Sequence, residues 1–192
     1  PPSKIAVVPR GAEFETGCLH PEDIAATIGR LQLPPRFALY PAKTWPHKNH
    51  IRLFQALAYL RDKEGLAISL VCTGRPISTT FDTIQRQLEA LKLNGQVFFT
   101  GFLDENSMRH VYAAAELVVF PSLFEGLGIP VLEAMAYGVP VVCSRASCLH
   151  RAKARRGDVI PRDGRINDLR PSFESFSDEL GSAPTKKGND QR

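Results

Sequence analysis

From Phe37 onward, short apolar runs alternate with longer segments whose apolar residues recur at helical spacing. That alternation predicts a parallel sheet joined by crossover helices. Phe37-Ala38-Leu39-Tyr40 reads as a strand, followed by a helix over Asn49 to Arg61 that places Ile51, Phe54, Leu57, Ala58 and Leu60 largely on one face. Ile68 to Cys72 is the next strand, ended by Thr73-Gly74; Phe81, Ile84, Leu88 and Leu91 mark an amphipathic helix closed by Asn94-Gly95. Val97-Phe98-Phe99 is a third strand, Asp104 to Ala115 a helix, and Leu117 to Phe120 a fourth strand. Asp104 is placed to cap its helix, because its carboxylate accepts from the orphan amides of the first turn. Ile129 to Tyr137 supplies another helix, stopped by Gly138 and Pro140, and Val139 to Cys143 a fifth strand. Upstream, Ile5 to Val8 adds a possible strand and Pro21 to Leu31 a helix. Continuous apolar strands of this kind suit a sheet covered on both faces. The expected fold is α/β, an open doubly wound Rossmann-like domain whose ligands bind beyond the carboxyl ends of the strands.

After Ser144 the pattern fails. Residues 151 to 156 are a charge run, and 158 to 192 mix Gly, Pro, Ser and charge without period, which predicts an irregular end. The organisation expected is therefore a segment 1–36 entering the domain, the domain itself over 37–148, and an atypical basic tail over 149–192. At 192 residues the chain has room for one such domain but not for two complete ones.

Charge changes this picture little. The net +4 is confined to the tail: residues 1 to 143 hold 13 Lys/Arg against 13 Asp/Glu, and the remainder 11 against 7. A neutral body argues against a nucleic-acid surface, which requires a basic patch on the folded domain. Cys72 and Cys143 fall in apolar strands and read as reduced core residues, pointing to the cytoplasm. Cys143, Cys148 and His150 match no familiar zinc spacing and lack a fourth partner. No apolar run approaches a membrane span, and the first residues lack the order of a signal peptide.

The most informative segment is Phe124-Glu125-Gly126-Leu127-Gly128-Ile129-Pro130-Val131-Leu132-Glu133. Two carboxylates eight positions apart bracket a glycine-loosened turn running into a helix. A helix opening near Gly128 holds Glu133 inside it and leaves Glu125 just before its start. The glycines let main-chain amides approach a ligand, and the helix dipole favours an anion there. A sugar joined to a diphosphate satisfies these features together. The flanking segments are Val119-Phe120-Pro121-Ser122 and Glu133-Ala134-Met135-Ala136-Tyr137-Gly138-Val139-Pro140-Val141-Val142.

Over roughly Pro1 to Ser144 the chain closely resembles the donor-binding, C-terminal half of retaining GT-B glycosyltransferases, the "glycosyl transferases group 1" family of family 4 type. The resemblance implies that Lys43 and Lys48, in the loop after the first strand of the repeat, grip the diphosphate of a nucleotide sugar and offset the charge of the leaving group. Lys43 stands where relatives usually carry Arg, which keeps the charge but loses the bidentate fork. Glu133 is similar to the carboxylate that accepts from the ribose hydroxyls. Glu125 corresponds to the glutamate at the transferred sugar, with the amides of Gly126, Leu127 and Gly128 facing sugar or phosphate. Gly101-Phe102-Leu103 resembles the segment beside the base, although Phe102 reads equally well as core. Trp45 and His47 flank the phosphate loop.

The family implies transfer of a hexose from a nucleoside-diphosphate sugar to a glycan or lipid-linked acceptor with retention of configuration. It implies no cofactor and no essential metal, an acceptor domain that precedes this chain, cytoplasmic location and peripheral membrane association. Relatives continue after the fifth strand with a Leu-Pro-Glu turn where this chain has Leu149-His150-Arg151, so a truncation or shifted reading frame is expected in the tail, with a divergent but genuine tail as the competing reading. Two other readings stand beside this one. The chain could be a fragment or degenerate paralogue that binds nucleotide sugar and transfers nothing. A Rossmann-type redox or epimerase domain lacks its G-x-G-x-x-G fingerprint here, and no P-loop is present.

Overall fold

A computed structural model describes residues 16–144 and the backbone of 157–160. The expected strand at Ile5–Val8, and residues 145–156 and 161–192, lie outside the described residues. Among the described residues, six parallel strands form one sheet: β1 (Ala38–Pro41), β2 (Leu70–Thr73), β3 (Val97–Gly101), β4 (Leu117–Phe120), β5 (Val141–Ser144) and β6 (Gly157–Ile160). Five α-helices accompany them among the described residues: α1 (Pro21–Arg30), α2 (His50–Glu64), α3 (Ser78–Ala90), α4 (Glu105–Ala114) and α5 (Ile129–Ala136).

The strand order is β3-β2-β1-β4-β5-β6, all parallel. The doubly wound α/β reading therefore holds. β1, with Ala38 opposite both Leu70 and Leu117, lies at the centre of the sheet. Leu39, Tyr40, Val71, Val118, Val119 and Phe120 are all buried, as strands covered on both faces require. The chain leaves β1 toward β2 on one side and leaves β4 toward β5 on the other. Adjacent strands whose connections diverge leave a crevice above their carboxyl ends, and in doubly wound sheets that is where ligands bind.

Element ends moved for identifiable reasons. The fifth strand begins at Val141 rather than Val139, because Gly138 at φ 70° closes α5 and the Val139 amide turns back to the Ala134 carbonyl at 2.9 Å. α2 runs three residues past Arg61 to Glu64, where Gly65 in the left-handed region turns the chain so that the Leu66 amide donates to the Leu60 carbonyl at 3.0 Å. Asp104 caps α4 as expected, accepting from the Ser107 amide at 2.9 Å. The largest departure is β6. The irregular reading from residue 158 is corrected by a strand paired parallel to β5, with Val141 opposite Gly157 and Ser144 opposite Ile160. Four residues behind a charge run are too few for any period to register.

One glycine ties the sheet to the crevice. Gly74, just past β2, has φ 102°, and a Cβ there would lie 3.0 Å from the Ala42 carbonyl carbon and 3.1 Å from the Lys43 amide nitrogen. Its own amide donates to the Gly101 carbonyl at 2.7 Å. The loops past β1 and β2 and the last residue of β3 are thus packed backbone to backbone. Gly74→Ala forces both an unfavourable φ and a clash with the loop bearing Lys43, and is expected to cost ~2 kcal/mol or more, read as a lowered midpoint in urea unfolding.

Candidate functional site

Above the crevice the loop after β1 meets the loop after β4. The first runs through Lys43, Thr44 and Trp45 into a 3-10 turn over Pro46–Lys48, and ends at Asn49 in the left-handed region with φ 66°. Thr44 anchors it from beneath: buried, it accepts from the Ile77 amide at 2.6 Å while its carbonyl accepts from Thr80 at 2.5 Å. The second loop covers residues 121 to 128 and opens α5. Two bonds stitch the loops together, the Leu123 amide to the His47 carbonyl at 2.8 Å and Asn49 Nδ2 to the Pro121 carbonyl at 3.1 Å. Buried Tyr40, from the end of β1, donates its hydroxyl to the Lys48 carbonyl. Positions 48 and 125 are thereby fixed before any side-chain charge is considered.

The charged pair spans the two loops. Lys48 Nζ donates to Glu125 Oε1 at 2.5 Å, with the two side chains only 15% and 12% exposed. The same ammonium lies 5.0 Å from the centre of the Phe120 ring, on the last residue of β4. Two expected site residues, 77 positions apart in sequence, are in direct contact. Lys43 lies on the same loop with its side chain exposed.

Gly128 caps α5 with φ 74° and ψ 42°, so the helix starts at Ile129 and holds Glu133 in its second turn, as the eight-residue spacing implied. The amides of Gly126, Leu127 and Gly128 donate to no backbone carbonyl among the described residues and lie just ahead of the helix. Glu133 is half-buried, and its Oε2 accepts from the hydroxyl of Tyr112 at 2.6 Å. Phe102 is 68% exposed, which removes the core reading, and the Arg75 guanidinium lies 5.2 Å from the centre of its ring. Leu103 packs against the core instead. With Trp45, Leu123, Phe124, Leu127 and Ile129 also exposed, the large apolar side chains at the surface gather on the loops past β1, β3 and β4 and at the start of α5.

Sequence reasoning passed over Tyr112, Asn49, Thr44 and His50. The first three act through contacts distant in sequence, which no local pattern encodes. His50, the first residue of α2, is 2% exposed, lies 4.7 Å from the Tyr40 ring, and has neither ring nitrogen hydrogen-bonded among the described residues. Burial, with a smaller contribution from the Lys48 charge, pushes its pKa down to about 4, so the ring is neutral. A cavity of about 280 Å³ on the far flank of the β1 loop is lined by His50, Thr44, Trp45, Thr80 and Ile84 among others, and includes neither carboxylate. Cys72 and Cys143 are buried, as expected for core cysteines. Cys148 and His150 lie outside the described residues. Among the described residues, no cluster of three or more His, Cys, Asp or Glu side chains is arranged to hold a metal, and no helix is long and apolar enough to cross a membrane.

Comparison with known proteins bears on this arrangement. The model of the family described as glycosyl transferases group 1 matches residues 25–158. O-antigen chain mannosyltransferase B of Escherichia coli is 34% identical over 128 residues, 66% of this chain and 33% of its own length. MMP alpha-(1->4)-mannosyltransferase of Mycolicibacterium hassiacum is 30% identical over 166 residues, 84% of this chain and 37% of its own length. The chain thus spans about a third of these curated relatives. Among solved structures, Anabaena HepE in complex with UDP and glucose superposes with a TM-score of 0.73 at 22% identity, over 85% of this chain and 44% of that one. WaaG, a glycosyltransferase involved in lipopolysaccharide biosynthesis, gives 0.75 at 20% identity, over 94% and 49%.

The buried imidazole gives this domain a pH signature. Because the folded pKa of His50 lies below its ordinary 6.5, the unfolded chain binds the proton first, and this contribution to stability is full above pH 6.5 and lost as pH falls toward about 4. The loss amounts to ~3 kcal/mol. Urea midpoints measured from pH 7 to 4 are expected to fall more steeply for the wild type than for His50→Phe, which keeps the packing and removes the titration.

Proposed function

The chain belongs to the glycosyl transferases group 1 family, and from that membership we propose that it forms the donor-binding part of an enzyme that moves a hexose from a nucleoside-diphosphate sugar to a glycan or lipid-linked acceptor, with retention of configuration. The observation that carries this reading is the contact of Lys48 with Glu125 across the crevice, with Glu133 held in the second turn of the helix that follows. Relatives named as mannosyltransferases of O-antigen chains support a hexose donor and a polysaccharide product. Structural neighbours titled as complexes with UDP and UDP-glucose support a nucleotide-sugar ligand.

In this mechanism the bond between the anomeric carbon and the diphosphate oxygen breaks, and both electrons leave with the diphosphate. Lys48 turns from Glu125 to a phosphate oxygen, Lys43 adds its exposed charge, and the amides of Gly126, Leu127 and Gly128 complete the cradle. Released from Lys48, Glu125 accepts hydrogen bonds from hydroxyls of the transferred sugar. The acceptor hydroxyl enters on the face that the diphosphate leaves, giving its proton to a phosphate oxygen, so the configuration is retained. Glu133 takes the ribose hydroxyls, and exposed Phe102 offers a flat face to the base. Two lysines and a row of amides supply the positive field, so no resident metal or cofactor enters the reading. The exposed apolar side chains around the crevice suit the face of an acceptor-binding domain. An acceptor linked to lipid fits a cytoplasmic enzyme working at the membrane surface.

The second reading is a chain that binds nucleotide sugar and transfers nothing. Turnover assayed on the isolated polypeptide separates the two.

Glu133→Ala is expected to abolish binding of nucleoside diphosphates in a protein whose thermal melt is unchanged; retained affinity would refute the assignment. For Lys48→Ala the expectation is selective, with affinity for a nucleoside diphosphate falling about tenfold or more and affinity for the bare nucleoside little altered. Calorimetric titration of both ligands decides it, and equal losses would remove Lys48 from the phosphate site.

A further inference from the structure

Glu133 is not left to find its own orientation. Tyr112, from the last turns of α4, donates its hydroxyl to Glu133 Oε2 at 2.6 Å. Tyr112 is 2% exposed, and its ring lies flat against Tyr137, with centroids 5.5 Å apart and planes 5° from parallel. Tyr137 is the C-terminal cap of α5, the helix that carries Glu133. The phenol is thus clamped by the same helix whose carboxylate it holds. Burial first, and the Glu133 charge second, raise the Tyr112 pKa far above its ordinary value, so the hydroxyl remains protonated and donates throughout the usable pH range.

A carboxylate that accepts a fixed bond on one oxygen loses most of its freedom of rotation. A flexible glutamate must give up that freedom on each binding event, whereas one already held does not. We propose that Tyr112 is a positioning residue: it occupies one oxygen of Glu133 from within the protein and presents the other, as an anionic acceptor, to the paired hydroxyls of a nucleotide ribose. The inference rests on the reading of Glu133 as the ribose acceptor and adds to it the residue that makes that acceptor selective. A bond that merely fastens α4 to α5 would stabilise the domain without regard to the ligand, and the two roles separate experimentally.

The test uses the 192-residue chain, with ADP, GDP, CDP and UDP as probes, and the 2′,3′-dideoxy counterpart of whichever binds most tightly. Wild type is expected to prefer the ribose form by about tenfold or more, since a charged acceptor otherwise faces no donor. Tyr112→Phe keeps the ring and its stacking, and thermal melting checks that the fold is kept. It is expected to weaken the ribose nucleotide about fivefold while leaving the dideoxy nucleotide within about twofold. Glu133→Gln should erase the preference, and adding Tyr112→Phe to it should change nothing further, because the tyrosine acts only through the carboxylate. Equal weakening of both ligands by Tyr112→Phe, an unchanged preference, or additive losses in the double variant would overturn the inference while leaving the Glu133 assignment intact. If Glu133→Gln keeps the preference, or none of the four probes binds wild type, the assignment itself falls and the inference with it.

Discussion

The site depends on one constraint of chain geometry, the reversal of strand order between β1 and β4. Parallel strands need crossovers of a fixed hand, and a sheet built outward in both directions from its centre must part its connections at one place. Here the parting lies between Tyr40-Pro41 and Phe120-Pro121, the ends of two central strands paired in parallel. Pro121 suits the change of course, since it follows the last residue of β4 and no ladder amide is needed there. Every candidate group on the two loops derives its position from that parting.

Backbone contacts then convert a crevice into a site. The His47 carbonyl and the Asn49 amide hold the β4 loop, Tyr40 holds the Lys48 carbonyl, and Gly74 lies against Ala42 and Lys43 from the side of β2. The Lys48–Glu125 pair forms on loops already aligned rather than aligning them. An ion pair so nearly buried contributes little net stability, because desolvation offsets most of the attraction.

Much of this was legible in the sequence because the informative signals were local. Apolar runs in strands covered on both faces, Asp104 before its helix, and Gly128 eight residues after Phe120 each act within a few positions of themselves. Glu125 and Glu133 could be placed on either side of a helix start from spacing alone. The contact between Lys48 and Glu125 could not, since it follows from which strands become neighbours. Tyr112 carries no local sign of its role: in the sequence it is one more aromatic on an amphipathic helix, and only the packing of α4 beside α5 gives its hydroxyl a carboxylate. His50 was missed for the opposite reason. It reads as a polar helix start, and burial among Tyr40 and Phe54 makes it a core residue. β6 was hidden by its brevity and by the charge run before it.

The two lysines of the β1 loop differ in how far they are felt. Lys48 and Glu125 in contact form a dipole, whose field dies away over a few ångströms, whereas exposed Lys43, in no ion pair among the described residues, carries a charge that acts over roughly a Debye length of ~8 Å at physiological ionic strength. On the proposed reading, an approaching anion is drawn in by Lys43 and meets Lys48 only at contact, when it must displace a carboxylate to gain the ammonium. That reading divides capture and retention between two side chains five residues apart, so that added salt would slow the arrival of a charged ligand more than it hastens its departure.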